Sequence, residues 1–90
     1  WWNDEALKAL SARVVRVAPN DAAANSMRAE VVSGMVGDVW MAGPRSAAEL
    51  MEAAAHFDRA AALCLAPAVK AEKVRFADRL RKRTNAAEGM

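Results

Sequence analysis

Ninety residues with a formal net charge of +2 and 54% apolar residues suit one small domain with a single modest core. Alanine supplies much of the apolar fraction, mean hydropathy stays close to zero, and no apolar run approaches the ~20 residues that span a bilayer. The one cysteine, Cys64, leaves no internal disulfide and points to a reducing, cytoplasmic setting.

Tyrosine is absent and no alternating strand pattern runs for any length, so the expected fold is all-α. The N-terminus carries no charged-then-apolar secretion signal. A start at Trp1-Trp2 without methionine raises the expectation of a trimmed or engineered chain.

The first helix is placed near residues 4–18. Asp4 and Glu5 suit its positive end, and Pro19 stops it. Leu7, Leu10, Val14 and Val17 recur at three and four, which predicts one buried stripe. Asn20 or Asp21 then caps a second helix near residues 21–40. Ala24, Met27, Val31 and Met35 line one side of it, while Val32, Val36, Val39 and Trp40 spread round to another. Gly34 and Gly37 leave two readings open. Either the helix stops near Gly34, with Met35 to Arg45 as a folded loop, or it runs to Trp40.

Gly43-Pro44 breaks the chain, and Ser46 with Glu49 forms a capping box for a third helix near residues 46–65. Its core side is Leu50, Ala54, Phe57, Ala61 and Cys64; Glu49, Glu52, His56 and Arg59 lie opposite. A fourth helix near residues 68–83 opens after Pro67, with Val69, Phe76 and Leu80 on one side. Its cationic last turn, Arg79 to Arg83, complements a helix C-terminus. Residues 84–90 have no periodicity and are expected to fray. The architecture so far is three to four antiparallel helices in one domain spanning residues 1–90.

Candidate chemistry is sparse. Glu52 and His56 could place two metal ligands on one helix face, but a working site needs three or four, and the plainer reading is a solvated Glu–His pair. Cys64 and His56 are turned roughly 80° apart on the helix, so a nucleophile and base do not meet. No phosphate loop, nucleophile elbow or paired-cysteine motif occurs. We therefore expect no enzyme, cofactor or metal. Arg75, Arg79, Lys82 and Arg83 form a basic patch; Glu72 and Asp78 interleave with it, so solubility and a complement to the helix dipole are the plainer reading, while an acidic partner or nucleic acid are the functional alternatives, the second weakened because no stacking aromatic lies among the cations. Trp1, Trp2, Trp40 and Met41 either fold onto the core or make an aromatic contact surface.

The run Ala53-Ala54-Ala55-His56-Phe57-Asp58-Arg59-Ala60 and the corner Ala18-Pro19-Asn20-Asp21 resemble the tetratricopeptide repeat family. Ala53, Phe57 and Ala60 match its small-aromatic-small spacing, and Pro19 matches its closing proline. Pro67 follows Pro19 by more than the family's period of about 34, Leu65 stands where a closing proline is expected, and Arg28 or Ala29 replaces a glycine. The resemblance implies helical hairpins that bind a protein or peptide without catalysis. It places partner contacts on the first helix of each hairpin, here Asn25, Arg28 and Val32. Fewer than three repeats leave a terminal face uncovered, which makes a homodimer the expected assembly.

Overall fold

The computed structural model describes residues 4–36, 40–41 and 45–88, with side chains for residues 5–34 and 45–85. Its helices are α1 (Asp4–Val17), α2 (Ala22–Ser33), α3 (Ala47–Leu63) and α4 (Pro67–Glu88). Between α2 and α3 two short strands, β1 (Met35–Val36) and β2 (Trp40–Met41), pair antiparallel with Met35 opposite Met41. The fold class is all-α, as the composition indicates. The strand pair has no counterpart in the sequence reading, which saw only helix or loop there.

Local chemistry sets each boundary. Asp21 caps α2 by accepting from the Ala24 amide at 2.8 Å, and Pro19 separates it from α1. Ser46 accepts from the Glu49 amide at 3.1 Å while Glu49 Oε1 accepts from the Ser46 amide at 3.1 Å. That reciprocal pair starts α3. The helices pack in sequence, α1 on α2, α2 on α3 and α3 on α4. Asn25 meets His56 while Arg28 meets Glu52, so α2 and α3 run antiparallel. Short corners reverse the chain again on either side, which places α1 and α3 parallel to each other and α2 parallel to α4.

The core lies between α2, α3 and α4. Ala29 and Val32 face Leu50, Ala53, Ala54 and Phe57, and Ala77 and Leu80 close it from α4. Fully buried alanines let the backbones approach, while Val32, Phe57 and Leu80 supply the area, each worth ~1.5–3 kcal/mol on burial. The Phe57 and Phe76 rings are 5.4 Å apart and tilted by 53°, and Lys73 Nζ stands 5.9 Å from each ring centre. The small-aromatic-small residues Ala53, Phe57 and Ala60 are all buried on α3.

Three boundaries and one stripe depart from expectation. The second helix ends at Ser33 and does not reach Trp40, because Gly34 adopts φ 82° and turns the chain out of the helix. Arg45 then donates to the Val32 and Val31 carbonyls at 3.0 and 3.2 Å, capping that end with a cation. The fourth helix starts at Pro67 and continues to Glu88. Thr84 is buried and its hydroxyl bonds the Leu80 carbonyl at 2.9 Å, so the first residue of the expected tail is anchored in the helix. On α1 only Leu7 of the predicted stripe is fully buried; Leu10 is 47% and Val17 86% exposed. The helix is instead rotated toward Ser11, for a reason found in the polar seam described below.

A Cβ added to Gly34 would lie 3.2 Å from Arg45 Nε on top of the left-handed backbone. Gly34→Ala is therefore expected to lower stability by about 1–2 kcal/mol, read as a shift of the urea midpoint with an unchanged slope.

Candidate functional site

A polar seam runs where α1, α2 and α3 meet, and it begins with Arg28. Its Nη1 donates to the Lys8 carbonyl at 2.9 Å and to Ser11 Oγ at 3.1 Å, while its Nε donates to Glu52 Oε2 at 2.8 Å. One guanidinium thus joins three helices. Ser11 is fully buried, so α1 must turn this polar residue inward to meet the fork. That rotation carries Leu10 and Val17 out of the interface.

Asn25 is the second node. Its Nδ2 donates to the Pro19 carbonyl at 3.1 Å and to the Asp21 carbonyl at 2.9 Å, which leaves Oδ1 as an acceptor facing His56 Nδ1 at 3.0 Å. His56 in its neutral form therefore carries its proton on Nδ1. The bare Nε2 stands 3.5 Å from Glu52 Oε2. Burial holds the ring below its ordinary range, Glu52 pulls it up, and Arg28 pushes it down further.

Two further ties close the seam. Lys8 Nζ meets Glu49 Oε2 at 2.8 Å; that bond and the Ser46 amide hold the Glu49 carboxyl down at about 2. Arg59 reaches Asn20 Oδ1 and the Pro19 carbonyl, fastening the first corner to α3. A shallow concavity of about 360 Å³ opens beside these groups, lined by Val15, Pro19, Asn25, Ala55, His56 and Arg59. Among the described residues no cluster of three or more His, Cys, Asp or Glu could hold a metal ion. The side Glu49, Glu52 and His56 share is packed against α1 and α2 instead of lying in solvent, although the Glu52–His56 pair itself is present.

The residues assigned to partner contact divide three ways. Asn25 and Val32 are buried, one bonded to two carbonyls and a histidine and the other in the apolar core, so neither can meet a partner. Arg28 is equally committed, with its side chain 16% exposed and bonded to α1 and α3. The transfer by family position fails here because the seam takes up Asn25 and Arg28 and the core takes up Val32. Trp1 and Trp2 lie outside the described residues, and for Trp40 and Met41 only the β2 backbone is described. The basic patch is different: Arg75, Arg79, Lys82 and Arg83 are all exposed on α4.

Sequence reasoning missed the exposed apolar positions. Leu65, at the α3–α4 corner, is 98% exposed, and the uncharged run from Ala60 to Val69 was the available signal. Cys64, placed on the core stripe by spacing, is half-buried at the end of α3. Among the described residues no helix is long and apolar enough to cross a membrane. No family model, curated protein or solved structure matches this chain.

Arg28→Met is expected to cost about 2–3 kcal/mol, since it strips Ser11, the Lys8 carbonyl and Glu52 of a charged donor. Arg28→Lys should recover only part of that in chemical denaturation, because an ammonium cannot span the fork.

Acid should act in two stages. With His56 held below 6.5, the unfolded chain takes the proton more readily, so stability is full above that value and declines as pH falls below it. The Glu49 contribution is present above 4.5 and is lost only as pH falls toward about 2. Thermal unfolding against pH should show His56→Gln flattening the first limb and Glu49→Gln the second.

Proposed function

We propose that this chain is a non-catalytic protein-interaction module, a tetratricopeptide-like helical scaffold, and that a second copy of itself is one partner it can meet. The observation that carries the reading is the exposure of Val17 at 86% and Leu65 at 98%, one beside each corner at the same end of the molecule. Arg59 bonds the Pro19 carbonyl, so the first corner sits beside α3 about one turn before its end. The second corner projects beyond it by roughly 6 Å.

Apolar side chains presented at a protruding end cost free energy in water and gain it on contact. The groups best suited to chemistry point the other way. Arg28, Glu52, Asn25 and His56 satisfy one another across helix boundaries, which makes them fasteners between helices. The buried alanine, phenylalanine and alanine of α3 support the family reading on the same terms as their spacing.

The exposed area is small, so self-association should be weak, with Kd on the order of 100 µM. Sedimentation equilibrium across concentration should show a monomer–dimer exchange that is abolished by Val17→Asp with Leu65→Asp, while thermal unfolding stays unchanged. A monomer at millimolar concentration, identical in the variant, would remove self-association from the proposal.

A further inference from the structure

The basic row of α4 has no explanation inside the fold. Cations near a helix C-terminus offset its dipole, but that effect dies within the last turn. Because α4 continues to Glu88, Arg79 lies roughly two and a half turns from the end and Arg83 more than one. Nor do these residues pair locally. Arg81 binds Asp58 of α3 at 2.6 Å and also takes Asp78 of its own helix, so both of those acids are already engaged. Arg75, Arg79, Lys82 and Arg83 are left exposed and without an ion pair among the described residues, with Glu72 the acid beside them.

The row is also well aimed. Arg75, Arg79 and Lys82 fall within an arc of roughly 60°, with Arg83 at its edge, and span ~12 Å of helix. Ala77, Leu80 and Thr84, all buried, occupy the far side. The cations therefore face straight out from the last helix of the array. The same outward side carries Ala68 and Ala71, both exposed.

The geometry points to this face as a docking surface for an acidic helix of a partner protein, one with carboxylates spaced by four and three and small apolar residues at one end of them. Such a helix meets the cations with charge and covers the two alanines. A phosphate backbone would satisfy only the first of these, and Phe76, the aromatic of this helix, is packed against Phe57 and the core, so it is not free to stack a base. The inference rests on the reading of the chain as an interaction module, but it uses a different surface from Val17 and Leu65.

The test uses the full chain and a synthetic amphipathic helix with glutamates at i, i+4 and i+7, followed by fluorescence anisotropy at low and high salt. Binding should weaken about tenfold in Arg75→Glu/Arg79→Glu/Lys82→Glu and weaken with salt. The control Arg13→Glu/Arg16→Glu lowers the net charge on α1 and should leave binding close to the wild type. Equal losses in both variants would reduce the effect to net charge and overturn the proposal. So would tighter binding of a duplex or single-stranded oligonucleotide than of the peptide, or no peptide binding by the wild-type chain, a result that stands even if the α4 variant misfolds. Sedimentation of the Val17 and Leu65 variants reads self-association independently, so failure at α4 leaves that reading intact and failure there leaves this one.

Discussion

The Arg28 guanidinium is the constraint on which the arrangement of the first three helices depends. A fork that reaches Ser11 and the Lys8 carbonyl on one side and Glu52 on the other fixes the rotation of α1 about its own axis. It does so against the helix's apolar preference. Burying Leu10 and Val17 would gain ~1.5–3 kcal/mol each, yet it would leave a charged fork facing carbon, and an unpaired buried charge costs more than that. The polar seam wins, and the surplus apolar surface goes outward.

This division gives the molecule two kinds of cohesion. The α2–α3–α4 unit is held by area, through Val32, Phe57 and Leu80 packed against alanines. The α1 contact is held by directed bonds around Ser11, Lys8 and Arg28, each of modest net worth. Local stability follows the kind of contact, so α1 is the helix most readily separated from the rest. The outer helices then differ in what they offer: α1 offers valine and leucine, α4 offers cations. One chain thereby carries an apolar outer face and a cationic one.

What could be read from the sequence was whatever depends on neighbours in the chain. Pro19, a cap at Asn20 or Asp21, the Ser46–Glu49 box and the core side of α3 are decided within a turn or two, and the structure chooses Asp21 for the cap and buries Leu50, Ala54, Phe57 and Ala61 but not Cys64. The end of α2 was half legible, since Gly34 was marked as a stop but Arg45, in a different segment and bonded to carbonyls thirteen and fourteen positions earlier, makes the stop secure. The rotation of α1 was not legible. Periodicity finds the apolar arc of a helix, and here a long-range guanidinium overrides it. Asn25 and Arg28 were misassigned for the same reason, because the closure of the α1–α3 seam over α2 leaves no local trace, and Val32 because it packs into the apolar core with α3 and α4. The extent of α4 was hidden because residues 84–88 carry no apolar periodicity; Thr84 is held instead by its hydroxyl on the Leu80 carbonyl.

Glu49 shows how local and distant order are joined. Its two oxygens do separate work: Oε1 accepts from the Ser46 amide and hydroxyl, completing the cap that starts α3, while Oε2 accepts from Lys8 of α1. A capping glutamate normally spends its charge on a helix terminus alone. Here the same charge also anchors a helix forty-one positions earlier in the chain, so the start of α3 and the seating of α1 stabilise one another. The carboxyl stays ionised down to about 2 because either contact by itself favours the anion, and together they reinforce it. A chain with so little apolar contact on α1 needs that coupling: without it the first helix would be tied to the array chiefly through Arg28.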